Sequence, residues 1–315
     1  MQSIFGAGFV LLFVLGQAVR DVYFAGVFQG LDFFEVALLS FAVCAVVFAL
    51  VASLRAPAAW RKFKGHCRLL LWVNLTTGAA WLAFFYAIKH LEPAVASTLY
   101  MGAGPLTILA LSRGRRETGE GAKAGRMEGG CYLGLALTMA ALWLVALGGA
   151  SGVAGADWVT VLAGLSCATL GGASITLGHF GARRLNDAGI GSDAVMATRF
   201  LGIVLVTALI ELLDGAPAEL AALDDIATLA FAAVLLIVLP SFALQLGVAR
   251  ATPLTVNVVR ALGPVFLFFA QFADARIAYA PVTLACILSY VIFAVGVNGV
   301  RAWYGRAGLL PQRSP

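Results

Sequence analysis

"EPAVASTLYMGAGP" (residues 92–105) and "TPLTVNVVRALGP" (residues 252–264) share one layout: a polar residue, a proline, an apolar run, then Gly-Pro. Tyr100 stands in the first phrase where Arg260 stands in the second. The likeness extends outward. "FFYAIKHLEP" leads into the first phrase and "LQLGVARATP" into the second; "LGQA" (15–18) pairs with "LGGA" (170–173), and "VALLSF" (36–41) with "VMATRF" (195–200). Each match is short, but all fall in the same order at a nearly constant offset. The chain therefore reads as one unit written twice.

Composition says where that unit lives. The 315 residues are 61% hydrophobic and only 12% charged, with a mean hydropathy of +0.94. A soluble domain carries about 25% charged residues. Apolar runs near 20 residues recur throughout, each long enough to cross a hydrocarbon core of about 30 Å as a helix. Ten are expected: 4–27, 34–54, 69–89, 94–111, 129–149, 158–180, 193–213, 226–248, 255–272 and 280–300. The first lacks an early basic region and a small-residue cleavage site, so it reads as a span rather than a removable signal. The fold class is an all-α polytopic membrane protein.

Basic residues in short loops mark the cytoplasmic side. Sixteen lie in the loops leaving even-numbered spans or in the C-terminal tail, among them Arg61, Lys62, Lys64, Arg115, Arg116, Arg183, Arg184 and Arg313. The opposite loops hold only Lys89 and Arg276. Both termini are thus expected in the cytoplasm, with Asp214, Glu219, Asp224 and Asp225 outside. The net charge of +5 belongs to these loops and gives no ground for a nucleic-acid partner. The five cysteines are scattered without a CxxC pair, so neither a zinc site nor a disulfide framework is expected.

A repeat of five spans is odd, so its second copy must run upside down. The expected halves are 1–150 and 151–304, followed by a tail over 305–315. Inverted repeats give two states of similar energy, open to opposite sides, around a site near the membrane midplane. The ten spans as five plus five, the Arg199-Phe200 pair in span seven and the doubled Pro…Gly-Pro phrase resemble the drug/metabolite transporter superfamily, EamA type. "FADARIAYAPVTLACILSYVIFAVGVNGV" (272–300) is also similar to that family's stretch joining spans nine and ten, with Asp274 where a glutamate is usual. Ser40 replaces the arginine of the corresponding pair in span two, and "GRRETGEGAK" matches the acidic motif only loosely. The resemblance implies an exporter of small metabolites, closest in character to bacterial aromatic amino acid exporters.

Ionisable groups inside a span cost at least a few kcal/mol and usually face the bundle interior or reach for an interface. Arg199 and Arg260 are such groups, each with headgroup snorkelling as the competing reading. Arg20 and Asp21 are a further pair, for charge coupling or for a structural ion pair. Asn74, Thr77, Trp81 and Phe85 share one face of span three at spacings of three and four, with Tyr86 and Phe84 beside them. Ser97, Tyr100 and Met101 of span four, Ser241 and Gln245 of span eight, and Asn257 with Arg260 of span nine complete the expected cavity. Spans one, three, four, six, eight and nine would surround it; packing alone is the competing reading of the aromatic stripe. Pro105, Pro240 and Pro264 are hinge candidates. Spans five and ten, with their Gly and Ala faces, are expected to pack or to form a homodimer.

No "GxxxxGK" stretch is present, so ATP is not the expected energy source. The histidines lie far apart, without HExxH or GxSxG, and no enzyme or cofactor is expected. What the sequence supports is a secondary exporter of small amphipathic metabolites, foremost amino acids including aromatic ones, in a bacterial inner membrane. A cationic drug or polyamine is the alternative substrate, and would depend on Asp21. An intramembrane enzyme or a non-transporting scaffold are remoter alternatives.

Overall fold

A computed structural model describes residues 2–55, 57, 59–112, 120–153, 157–214 and 223–306. Arg113, Arg115, Arg116, Glu219 and Arg313, most of "GRRETGEGAK" and most of the expected tail lie outside the described residues. Among the described residues, ten helices are long and apolar enough to cross a membrane: α1 (Ile4–Val27), α2 (Phe33–Arg55), α3 (Cys67–His90), α4 (Pro93–Leu111), α5 (Gly125–Leu147), α6 (Trp158–Asp187), α7 (Ser192–Asp214), α8 (Asp225–Val248), α9 (Pro253–Ala273) and α10 (Pro281–Tyr304). No strand occurs among the described residues. Large apolar side chains such as Leu54, Leu144, Leu205 and Leu212 point outward, while Phe24, Phe41, Phe48 and Phe85 are fully buried. Lipid is the solvent that accepts such a surface, and a helix satisfies its own backbone within it. The protein is an all-α polytopic membrane protein.

The connections gather at two ends. At the basic end, Lys62 donates to the Gly189 carbonyl at 2.8 Å and Arg55 lies 3.8 Å from Asp193. At the opposite end, Gln29 donates to the Lys89 carbonyl, the Ala278 amide to the Gly152 carbonyl, and Arg276 to the Ala25 carbonyl.

Helix pairing interlocks the two halves of the chain. Helix α6 packs along α3 and α4, and α1 along α8 and α9; α2 packs on α7, and α5 on α10. Glycines allow the closest approaches. Gly16 of α1 faces Pro240 of α8, where an added Cβ would lie 2.8 Å from the ring. Gly172 of α6 lies directly on the Tyr100 carbonyl of α4, leaving no room for a Cβ. On α5, Gly134 seats the Phe293 ring of α10, so the Gly faces of spans five and ten meet within one chain.

Among the described residues, three of these helices are interrupted. In α9 the ladder tightens at Leu262, whose amide reaches Val259, because Pro264 has no N–H to donate. In α8 the turn Val234–Val238 widens to π geometry just ahead of Pro240. Helix α7 breaks at Phe200 with no proline nearby. By contrast, the helix containing Pro105 runs unbroken from Pro93 to Ser112, so of the three hinge candidates only Pro240 and Pro264 mark interruptions.

Candidate functional site

Around Arg260, α9 lines a cavity of about 410 Å³ together with α1, α4, α5, α6 and α10. Its inner wall carries Gln17, Tyr100, Thr176, Arg260 and Tyr290; its mouth carries Arg183, Asn257, Asn298 and Arg301. Arg183 and Asn257 are exposed, so the mouth lies at the basic end. Arg260 sits over the Phe13 ring at 5.9 Å and faces the cavity instead of reaching for headgroups. Its buried Nε has no partner, and neither does the buried Oε1 of Gln17. Asn257 donates to Asn298 at 3.0 Å, and Arg301 holds Glu128 and Tyr132 at the rim.

Of the expected lining, the cavity brings together Tyr100, Met101, Asn257 and Arg260, with Pro105 beside them. The other candidates stand elsewhere. Asn74 accepts from the Gly202 amide at 2.7 Å and donates to the Leu70 carbonyl, so it supplies the partner that the break in α7 leaves wanting. Thr77 is fully buried and accepts from Arg199 at 3.3 Å. Trp81 lies under the Arg20 guanidinium at 4.8 Å. Phe85 is fully buried among Phe24, Phe28 and Phe41, and Tyr86 packs on His90. Ser97 is buried, and neither it nor Gln245 or Ser241 lines the cavity; the Ser241 hydroxyl donates to its own helix at Ile237. Helices α3 and α8 contribute no lining residue, whereas α5 and α10, expected at the periphery, do.

The remaining charges are placed just as specifically. Arg20 donates through Nε and Nη2 to Asp21 Oδ1 at 2.8 and 2.6 Å, although successive helical positions diverge by about 100°. The long arginine stem bends back to reach its neighbour. Arg199 is buried instead of snorkelling, with Thr77 and the Met196 sulfur as its partners and its Nε unpaired. Asp274, at the position singled out by the resemblance, forms an ion pair with Arg276, which holds its carboxyl below the usual range.

At the end opposite the mouth a second polar cluster seals the bundle. Glu92 is buried and accepts from the Gly152 amide at 2.7 Å, from Gln271 at 2.6 Å and from the Thr283 hydroxyl at 3.1 Å. Gln271 in turn accepts from the Ala94 amide. The cluster ties the α3–α4 and α5–α6 connections to α9 and α10. Burial pushes the Glu92 carboxyl above its ordinary range, against the pull of its three donors.

Sequence reasoning passed over Gln17, Thr176, His179, Tyr290 and Glu92. A count of faces would have found part of the set: Tyr290, Ala294, Val297, Asn298 and Arg301 recur at helical spacing on α10 and all line the cavity. Gln17 was visible as the one polar residue of "LGQA".

No protein-family model and no curated protein matches the chain. A solved structure described only as "Crystal structure of protein" has the same overall course, with a TM-score of 0.59 and 17% identity over 94% of this chain and 96% of that one. That likeness speaks to the fold alone.

Proposed function

We propose that the chain is a secondary transporter that exports small amphipathic metabolites across a bacterial inner membrane by alternating access, with amino acids, aromatic ones included, as its first candidate substrates. The observation that carries this reading is the cavity: it is open at the basic end and backed, at the other end, by the buried Glu92 cluster. A hole open at one end of a bundle, with a bonded polar cluster at the other end, is the arrangement that one state of an alternating-access cycle requires.

Helix pairing supports the inverted duplication on which such a cycle depends. The equivalent residues Phe41 and Phe200 stack on each other at 5.1 Å, as two copies of one position do at a pseudo-two-fold axis. Gly16 meets α8 as its counterpart Gly171 meets α3, the first at Pro240 and the second at the Ala80 carbonyl. On this reading the basic end is cytoplasmic, and both termini with it. Asp21, on which the cationic alternative depends, is bonded through Oδ1 to Arg20 and does not line the cavity.

Reconstituted protein, loaded with an unlabelled amino acid mixture and given labelled amino acids outside, should show saturable counterflow. Repeating the assay across an imposed pH gradient separates proton coupling from exchange. Absence of counterflow with every amino acid and every amphipathic carboxylate would end the substrate reading, and absence with cationic amines as well would end the transport reading.

A further inference from the structure

Counting charge in the middle of the bundle sharpens the ligand. Arg20, Arg199 and Arg260 are three guanidiniums there, and Asp21 is the carboxylate among them. Arg20 engages Asp21 through Oδ1, while its buried Oδ2 has no partner among the described residues. Arg199 has a hydroxyl and a thioether as partners, and Arg260 has a ring face; each has a buried Nε with nothing to donate to. Arg260 and Tyr100 line the same cavity, whereas Arg199 stands outside it against Thr77 of α3. Arg260 is half-buried on the cavity wall with its inner Nε unpaired, so an anion entering the cavity gains a charge-assisted hydrogen bond there.

The walls offer a cation no carboxylate. Among the described residues, no Asp or Glu lines the cavity, while Arg183, Arg260 and Arg301 do, with only Arg301 neutralised by Glu128. An ammonium would exchange water for the neutral oxygens of Gln17, Thr176 and the tyrosines, in the field of Arg260. A zwitterion leaves the surplus positive charge as it was. A hydroxyl, in contrast, satisfies the unpartnered Gln17 Oε1 as a neutral donor, with no charge to desolvate. Tyr100, Tyr132, Phe180 and Tyr290 supply aromatic surface for a ring.

Resting on the transport reading of this same cavity, we propose that it selects net anions: amphipathic carboxylates whose second polar group is a neutral hydroxyl in place of an ammonium, with Arg260 receiving the carboxylate and Gln17 the hydroxyl.

Three probes with the same ring isolate the charge: 3-phenyllactate, phenylalanine and 2-phenylethylamine. Binding is read by thermal stabilisation of the purified protein, and transport separately by counterflow in liposomes. Phenyllactate should bind at least ~10-fold tighter than phenylalanine, and the amine should not compete. R260Q should weaken phenyllactate at least ~10-fold while R260K retains most of the affinity. N257D, which places a carboxylate one turn from Arg260, should narrow the gap between phenyllactate and phenylalanine and supports the assignment if R260Q fails to fold. Equal or tighter phenylalanine binding, or an R260Q protein that still prefers the anion, overturns the assignment. Phenylalanine counterflow that phenyllactate does not inhibit sinks it while leaving the transporter standing. Phenyllactate binding without any counterflow upholds it and removes the transporter. Neither binding nor flux in monodisperse protein removes both.

Discussion

At the scale of single residues, the polar side chains of α3 show what a sequence pattern omits. Asn74 and Thr77 lie on one face as expected, but that face meets α7, not the cavity. The need that fixes Asn74 is an amide freed by the break at Phe200, and no proline announces that break in the sequence. Arg260 was legible because a charge in an apolar run demands a reason; its surroundings were not, since they come from five other helices. Asn74→Ala should therefore lower stability by about 1–3 kcal/mol, the cost of an unsatisfied buried amide. Thermal unfolding in detergent measures that loss. The folded fraction should keep its ligand preference, which a cavity residue would not allow.

Whole elements were read more securely. Every expected span has its helix, because length and hydropathy are properties of the segment itself. The largest departure is α6, expected to end near residue 180 but continuing to Asp187 through "GARRLND", where its exposed charged residues stand beyond the hydrocarbon. How helices cross was not legible, since crossing depends on which small residues of two elements coincide. At the α4–α6 crossing, Gly172→Ala puts a methyl group into the Tyr100 carbonyl and must push the helices apart. Destabilisation of about 1–3 kcal/mol is expected there. Gly26→Ala in α1, with nothing within 4 Å, should instead be neutral or gain up to about 1 kcal/mol from helix propensity. Comparing the two melting temperatures checks whether the crossing, and not glycine content, sets the effect.

For the molecule as a whole, the seal at Glu92 makes stability depend on pH. Its carboxyl titrates above the ordinary range because burial penalises the charged form. The native state thus holds this proton more tightly than the unfolded chain does. The stabilisation from protonation is fully present below the unfolded carboxylate range and is lost as pH rises through the raised native value. Wild-type protein should lose melting temperature relative to E92Q over that rise, and the difference should level off above it; a pH-independent difference would contradict the assignment. The interlocking of the halves also bears on how the protein is made. Helix α1 is made well before its partners α8 and α9. At ~5–20 residues per second, α1 waits on the order of tens of seconds in the bilayer with Gly6 and Gly16 facing lipid. Assembly of α1 with its partners must therefore follow insertion instead of accompanying it.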